Sequence, residues 1–154
     1  MAPHDDHGLA CRAIENLIAA YAELVDDGDL AAVAALFADA SFTGASGSVS
    51  GSQAVEQLLR ANIILYEDGT PRTKHLITNV AIDLDDEAGT GSARSYFTVL
   101  QPSLGLGVRV IVSGRYEDRF QRDATGRWRF AERRVRSDLI GDLSGHLRST
   151  TPQR

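Results

Sequence analysis

The feature that most constrains this chain is a change in the spacing of its apolar residues near residue 75. Before that point, apolar residues recur every three or four positions, which places them on one face of an α-helix. After it, apolar and polar residues alternate, as in a β-strand with one buried face. Helices followed by a run of strands predict an α+β domain with the helices packed on one face of a bent sheet.

Three helices are predicted in the first half. The apolar stripe of the first consists of Ile14, Leu17, Ile18, Tyr21, Leu24 and Val25. Gly28 is expected to end this helix in a left-handed conformation, and Asp29 to cap the second helix, LAAVAALFADA. The third lies in SGSQAVEQLLRANIIL, where Ser50 and Gln53 have the spacing of a capping box. Asn62 falls on its apolar stripe, so it is either a satisfied core amide or a hydrogen-bonding group of a pocket.

Four strands are predicted in the second half, and short turns between them favour antiparallel pairing. Their sequences are HLITNVAIDLD, SARSYFTVLQ, GVRVIVSGRYEDRFQRD and RWRFAERRVRSDL. Alternation in the first strand predicts Leu76, Val80, Ile82 and Leu84 on one face, and His75, Ile77, Asn79 and Ala81 on the other.

Length and charge restrict the class of protein. A chain of 154 residues suits one domain, expected over residues 9–147 with a disordered tail at 1–8 and a second tail at 148–154. A net charge of −5 makes nucleic acid a poor partner. The single cysteine, Cys11, cannot form an internal disulfide, which fits a cytoplasmic location. The opening MAPHDDHGLA has no apolar run, so neither a secretory signal nor a membrane anchor is expected.

Three stretches together resemble the SnoaL-like branch of the nuclear-transport-factor-two-like superfamily. They are AYAELVDDGDLAAVAALFADASF, TKHLITNVAIDLD and GRYEDRFQRDATGRWRFAERR. The resemblance runs from about residue 9 to about residue 147. It implies a cone-shaped, curved antiparallel sheet with three N-terminal helices on its concave face and a cavity between the two layers. The superfamily includes dehydratases, isomerases, hydrolases and inert subunits, so function has to be argued from individual residues.

Two enzyme patterns of the superfamily fit this sequence poorly. Ketosteroid isomerases have a helical tyrosine, which Tyr21 matches, and a carboxylate base shortly after the stretch that LFADASF resembles. The corresponding segment here, TGASGS, contains no acid. Limonene-type epoxide hydrolases use two aspartates bridged by an arginine, and the sequence alone does not locate a second inward-facing aspartate.

A third pattern fits better. Scytalone dehydratase and hexachlorocyclohexane dehydrochlorinase use an aspartate at the end of the first helix and a histidine that opens the first long strand. Asp26 in YAELVDDGDL and His75 in TKHLITN match these positions. Scytalone dehydratase also has a tyrosine before the aspartate, where this chain has Val25, and a histidine on a later strand, which SARSYFTVLQ lacks. Leaving-group handling is therefore expected to differ.

The matched residues suit proton abstraction. A neutral imidazole is a base at neutral pH, and a carboxylate bonded to one of its ring nitrogens aims the other nitrogen at the substrate. A second group must stabilise the charge that develops on the substrate. The candidates for substrate binding are Tyr21, Asn62, Arg94, Tyr96 and Arg109. For each of them the competing interpretation is structural: a buried tyrosine or amide in the core, or a solvated arginine on a strand.

The last strand is rich in arginine, with Arg127, Arg129, Arg133, Arg134 and Arg136. Two interpretations remain open for these residues: ion pairs or a subunit interface, and an anion-binding wall of the cavity. His146, in GDLSGHL, belongs to a tail-like element and is expected to cap a neighbouring subunit rather than to act in catalysis.

The sequence predicts a cofactor-independent lyase or isomerase that acts on a small, mostly apolar substrate by proton abstraction and β-elimination, for instance dehydration. No cofactor or metal is implied, because there is no glycine-rich phosphate loop and no metal-ligand spacing. One alternative is a non-catalytic ligand-binding module or a small-subunit-like partner of a ring-hydroxylating dioxygenase. Another is a purely structural dimer with a closed core. A homodimer or homotrimer is expected in any of these cases.

Overall fold

The computed structural model describes the backbone of residues 3–148, and side chains from Asp6 onward. Its helices are α1 (Pro3–Asp26), α2 (Leu30–Ala35) and α3 (Ser52–Asn62). Its strands are β1 (Ser41–Gly44), β2 (Gly47–Ser50), β3 (Lys74–Asp85), β4 (Thr90–Ser103), β5 (Gly107–Arg122) and β6 (Trp128–Ile140). The predicted C-terminal tail lies outside the described residues, apart from Arg148.

The six strands form one curved, unclosed sheet in the order β2-β1-β6-β5-β4-β3. Strands β3 to β6 pair antiparallel in chain order, as predicted. The β1–β2 hairpin was not predicted, and β1 pairs in parallel with β6, so the sheet is mixed. The α+β fold with three helices packed against the concave side of the sheet is confirmed.

One apolar core lies between the helices and the sheet. Ile14, Ile18 and Val25 of α1 are at most 2% exposed, because the stripe read from the sequence faces the sheet. Burial of this kind contributes about 25 cal/mol for each Å² of apolar surface removed from water. The core therefore fixes α1, including its C-terminal turn, over strand β3.

The helix ends agree with the sequence in two places and differ in two. Gly28 ends α1 at φ 76°, and Asp29 caps α2 by accepting a hydrogen bond from the Ala32 amide at 3.0 Å. The predicted capping box at Ser50 is wrong, because Ser50 ends β2 and α3 starts after Gly51 without a side-chain cap. Helix α1 begins at Pro3, before the expected boundary at residue 9, and proline is well suited to a first helical turn.

The predicted faces of β3 are also wrong. The register of β3 against β4 shifts between Thr78 and Ala81, where Asn79 has a φ of 53°. This bulge adds a residue to the strand, so side chains beyond it change face. As a result Ile77 and Ile82 both pack against the core, while Leu76 is 43% exposed. His75 lies before the bulge on the same side as Ile77.

Candidate functional site

The C-terminal turn of α1 presents Asp26 to the start of β3. The amides of Gly28 and Asp29 donate to the carbonyls of Val25 and Leu24, both at 3.0 Å, which closes the helix with a left-handed glycine. A Cβ atom on Gly28 would lie 2.0 Å from the carbonyl oxygen of Gly69. The absence of a side chain at residue 28 therefore allows the loop before β3 to pack against the helix end.

Asp26 and His75 form a buried hydrogen-bonded pair, which we call the Asp26–His75 pair. The Nδ1 atom of His75 is 2.6 Å from Oδ1 of Asp26, and the two side chains are 7% and 8% exposed. The other carboxylate oxygen accepts the backbone amide of His75 at 2.8 Å, and the Thr73 hydroxyl donates to Oδ1 at 2.8 Å. These bonds hold the carboxylate on both sides and direct the Nε2 atom of His75 away from Asp26.

The surroundings keep Asp26 ionised. Burial alone would raise the pKa of its carboxyl group, since a charge is poorly solvated there. The hydrogen bonds from His75 and Thr73, together with the charge of His75, outweigh burial and lower the pKa below its usual value. A charged Asp26 can orient the imidazole and stabilise its protonated form.

A second buried polar cluster lies deeper in the core. Arg133 of β6 is fully buried and makes a bidentate ion pair with Asp118 of β5, at 2.8 and 2.7 Å. Burial would lower the pKa of Arg133, but the charge of Asp118 raises it, so the guanidinium remains charged. Its Cζ atom lies 4.3 Å from the ring centre of Tyr21 and 3.8 Å from that of Tyr116.

Two buried tyrosines, Tyr21 and Tyr116, pack together beside Arg133. The ring centres of Tyr21 and Tyr116 are 5.8 Å apart. Burial raises the pKa of the Tyr116 phenol well above its usual value, and the charge of Asp26 contributes to the rise. Burial also raises the pKa of Tyr21, against the opposing charge of Arg133. Both phenols are therefore neutral at pH 7, and both rings lie over the charged guanidinium of Arg133.

His146 approaches the pair from the C-terminal segment. Its ring centre lies 6.3 Å from that of His75, at an interplanar angle of 68°, and the residue is 7% exposed. Burial and the proximity of His75 lower the pKa of His146 to about 4, although the charge of Asp26 opposes the shift. His146 is therefore neutral at pH 7, and it packs within its own chain.

The structure brings some of the candidate residues together and separates others. Tyr21 lies in the interior beside Arg133. Asn62 is half-buried and donates its amide to the Leu58 carbonyl at 2.7 Å, one turn back along α3, so its side chain is satisfied locally. This geometry corresponds to the core interpretation of Asn62.

The expected substrate contacts of Arg94, Tyr96 and Arg109 need correction. On β4 the buried residues are Ala93, Ser95, Phe97, Val99 and Gln101, so Arg94 and Tyr96 point outward. Arg94 is within 3.9 Å of Asp83, and Tyr96 is 51% exposed. Arg109 lies in the exposed first part of β5. Arg94 and Tyr96 do not face the Asp26–His75 pair, because the inward face of β4 is the opposite one. Arg109 pairs with Gln101, but it lies in a stretch of β5, residues 107–110, that is exposed on both faces, so it is not part of a buried site.

Sequence reasoning missed two interior groups, Tyr116 and Asp118, and assigned a third, His146, to a contact with a neighbouring subunit, whereas it is buried within its own chain. The first two alternate with exposed residues along β5, in the pattern that marks an inward face, so the inward aspartate was recoverable once that face was assigned. Asp118 bonds to Arg133, whereas Asp26 bonds to His75, so no single arginine bridges the two aspartates. No local sequence pattern places His146 in the interior, and its position is seen only in the folded chain.

Three further features of the described residues concern the requirements of a metal site, a membrane span and an open cleft. No group of three or more potential metal ligands is found among residues 6–148. No helix in the described part of the chain is long and apolar enough to cross a membrane. Two open clefts of about 460 and 660 Å³ lie beside α3 and beside the β3–β4 turn, and no residue of the pair lines either cleft.

The fold and this buried polar interior define an α+β protein of the NTF2-like type. The sequence profile of the SnoaL-like domain matches residues 8–134. That match covers well over half of the chain, so the chain belongs to the SnoaL-like domain family. It includes Asp26, His75 and Arg133, and it ends before His146.

Solved structures with the same fold come from several bacteria. Rv3472 from Mycobacterium tuberculosis, a protein of unknown function solved as an aspartate-to-asparagine variant, is 26% identical, with a TM-score of 0.74 over 91% of this chain and 78% of that one. A Novosphingobium aromaticivorans protein provisionally named scytalone dehydratase is 24% identical, with a TM-score of 0.71 over 90% and 91% of the two chains.

A third structure is the β subunit of a protein from the same bacterium, provisionally named an aromatic-ring-hydroxylating dioxygenase. It is 24% identical, with a TM-score of 0.69 over 87% of this chain and 92% of that one. No curated protein matches the sequence significantly. At these identities the similarity establishes the fold, and a choice between enzyme and subunit rests on the site.

Proposed function

We propose that this protein is a cofactor-independent lyase or isomerase, in which His75 removes a proton from a small, mostly apolar organic substrate. Asp26 orients the imidazole of His75 and stabilises its protonated form. The observation that carries the proposal is the buried 2.6 Å contact between Nδ1 of His75 and Oδ1 of Asp26. With Nδ1 engaged, Nε2 is the nitrogen left to accept a proton. A positioned base contributes about 10² to 10⁴ in rate.

Buried polar atoms without partners support a ligand in the interior. Within the described residues three such atoms lack a hydrogen bond: Oγ of Ser95, Nη1 of Arg133 and Nδ1 of His146. An unsatisfied buried group costs about 1–3 kcal/mol, so a permanently closed core would not be expected to retain three of them. A substrate that carries oxygen could supply the missing partners. The free N–H of Arg133 is suited to stabilise an oxygen that becomes negative.

Elimination from a β-hydroxy ketone is a direct test of the proposed reaction. β-Hydroxy-β-phenylethyl methyl ketone loses water to give a conjugated enone, whose absorbance reports the rate. We expect wild-type protein to accelerate this reaction over buffer, His75→Gln to reduce the rate about 100-fold or more, and Asp26→Asn to reduce it about tenfold or more. His7→Gln is the matched control, because His7 lies on the exposed surface of α1 beside Asp86.

A second readout does not require the right substrate. Nitrogen-15 NMR of histidine-labelled protein should show the proton of His75 on Nδ1 in the wild type, and a changed tautomer balance in Asp26→Asn. If His75→Gln eliminates water as fast as wild type, the proposed base is wrong. If the tautomer is unaffected by Asp26→Asn, the carboxylate does not orient the ring.

The second candidate is a non-catalytic module that binds a small apolar ligand, or a partner resembling a dioxygenase small subunit. The structural similarity to a dioxygenase β subunit is the observation that favours it. This candidate predicts that an aromatic ligand binds equally well to wild type and Asp26→Asn and is not turned over. Stable co-elution with a larger iron protein of the same organism would favour the subunit function.

A further inference from the structure

The segment Gly141–Arg148 brings His146 back over the Asp26–His75 pair, and its backbone is firmly held. The carbonyl of His146 accepts the Ile64 amide at 2.9 Å. The neighbouring carbonyl of Gly145 accepts both the Tyr66 hydroxyl at 2.6 Å and the Gln101 side-chain amide at 3.0 Å. The backbone of residues 145 and 146 is therefore tied to the loop that follows α3 and to β4, which makes the position of His146 a defined part of the fold.

The ring of His146, by contrast, has no partner for its buried nitrogen. Nδ1 is shielded from solvent and makes no hydrogen bond to any described residue. The ring is 7% exposed and lies 6.3 Å from the ring of His75, measured between centres. Buried polar atoms in native proteins are nearly always paired, and an exception calls for an explanation, such as an ordered water or a catalytic role. A polar atom of a bound molecule would supply the missing partner.

The charge state of His146 limits what it can offer such a molecule. Burial and the nearby His75 lower its pKa to about 4, so the ring is neutral at pH 7. A neutral imidazole has one N–H donor and one acceptor, and it can donate a hydrogen bond without giving up its proton. Such a donor suits an oxygen that becomes negative while His75 takes up a proton, because His146 adds no second positive charge beside His75 at pH 7.

We propose that His146 is a second functional histidine of the site, and that its Nδ1–H group donates a hydrogen bond to the carbonyl oxygen of the substrate. The proposal rests on the proposed function and defines the substrate class as carbonyl compounds with an acidic proton on the adjacent carbon. His146 lies beyond residues 8–134, so this group comes from a part of the chain outside the family match.

The reaction balances with these groups alone. His75 Nε2 takes the proton from the carbon next to the carbonyl. The electron pair of the broken C–H bond forms a C=C bond to the carbonyl carbon, and the π pair of the carbonyl moves to its oxygen, which gives an enolate. The His146 N–H stabilises that oxygen. The oxygen pair then re-forms the carbonyl, and the enolate C=C pair moves to form a double bond between the α and β carbons. The bond from the β carbon to its hydroxyl group breaks with its electron pair on the leaving oxygen, and that oxygen takes the proton from His75 as water. In an isomerase the proton returns to a different carbon.

The test uses two probes that do not depend on the natural substrate. β-Tetralone, an aromatic ketone, exchanges its α-protons for deuterium when a base acts on it, and proton NMR follows the exchange. β-Naphthol resembles the enol of this ketone and serves as the binding probe. The variants are His146→Phe, which keeps ring volume, and His146→Asn, whose amide nitrogen lies near the position of Nδ1. His7→Phe is the control for loss of an exposed histidine.

We expect His146→Phe to lower kcat for exchange about 100-fold with little change in KM, because loss of one donor to a developing oxyanion costs about 10² to 10³ in rate. His146→Asn should retain a rate within about tenfold of wild type, since one donor to an oxyanion remains. In nitrogen-15 NMR of the wild type, β-naphthol should shift the Nδ1–H signal of His146. This last measurement needs no variant, so a folding defect in His146→Phe cannot obscure the result.

The outcomes separate this proposal from the proposed function. If His75→Gln abolishes exchange and His146→Phe does not, the role of His146 is overturned and the base remains. If wild type fails to exchange the ketone but β-naphthol shifts the His146 signal, the donor is supported and the base is overturned. If exchange and shift are both absent, both proposals fail. Nitrogen-15 shifts that place the His146 proton on Nε2 in the β-naphthol complex would also overturn the assignment.

Discussion

The buried, neutral ring of His146 makes the stability of the fold depend on pH. Its pKa is about 4 in the folded chain, because burial and His75 disfavour the charged form, against the opposing effect of Asp26. A histidine in an unfolded chain titrates near 6.5. Between these values the unfolded state binds a proton more readily than the folded state, so folding stability falls as the pH drops from about 6.5 to about 4. Above pH 6.5 the contribution is fully present.

Replacement of His146 by phenylalanine should remove this dependence. At about 1.4 kcal/mol per pKa unit, the wild type should lose on the order of 3 kcal/mol of unfolding free energy from this residue between pH 7 and pH 4. Urea unfolding of wild type and His146→Phe over that range measures the difference. The contributions of the carboxylates to the pH dependence are the same in both proteins and cancel in the comparison. Asp26, whose pKa is lowered, titrates mainly below this pH range. Equal slopes in the two proteins would contradict a buried neutral histidine.

At the scale of secondary-structure elements, the contact between the end of α1 and the loop before β3 aligns Asp26 with His75. Gly28 has a φ of 76°, and an added Cβ would meet the Gly69 carbonyl at 2.0 Å. Gly28→Ala should therefore destabilise the fold by more than the roughly 1–2 kcal/mol of a left-handed alanine. It should also weaken the Asp26–His75 hydrogen bond, because the loop must move. Urea unfolding and the His75 Nδ1–H signal in NMR measure the two effects.

Gly126 provides the matched control for this prediction. Its φ is 85°, and a Cβ there would meet no atom within 4 Å. Gly126→Ala therefore carries the backbone strain without the clash, and it lies in the β5–β6 turn, away from the site. If both alanine variants lose the same unfolding free energy and keep the His75 signal, the close approach of residues 28 and 69 does not position the pair.

The elements that sequence reasoning predicted correctly are those with local signals. Gly28 ends α1 and Asp29 caps α2, and both caps can be predicted from the residue type and its immediate neighbours in the sequence. Asp26 and His75 were therefore placed at the right ends of their elements. The faces of β3 could not be predicted, because strict alternation fails at the bulge around Asn79, where the pairing with β4 decides the geometry.

Two other elements depend on contacts far apart in the sequence. The segment around His146 resembles a tail until α3 and β4 provide partners for its backbone, and those partners lie more than 40 residues away. Strand β1 is short and polar, and it becomes a strand by pairing with β6, at Thr43 and Arg134 for example. Local periodicity carries no information about either contact, which is why the burial of His146 within its own chain and the mixed character of the sheet were not predicted.

At the scale of the whole molecule, one end of the sheet carries an exposed apolar patch, which we call the hairpin patch. It consists of Leu104, Leu106, Val108, Val110, Leu139 and Ile140, each at least 56% exposed. The first four lie in the β4–β5 hairpin, and Leu139 and Ile140 lie at the neighbouring end of β6, paired with Ser113 and Val112 of β5. Large apolar side chains exposed together at one end of a sheet are typical of an interface with another protein chain. We expect a second copy of this chain to cover it.

The oligomer prediction is tested by the mass of the protein in solution. Light scattering during gel filtration should give two or three times the chain mass of 16.6 kDa for the wild type, and the mass of a single chain for a Val108→Asp, Leu139→Asp double variant, because two buried carboxylates would lack partners. Leu9→Asp is the control, since Leu9 is equally apolar and 61% exposed on the helical side of the molecule. If the wild-type protein remains a single chain at all micromolar concentrations, the expectation that a second copy covers the hairpin patch is wrong. The patch would then favour a different partner chain, as a dioxygenase small subunit requires, over a self-contained enzyme.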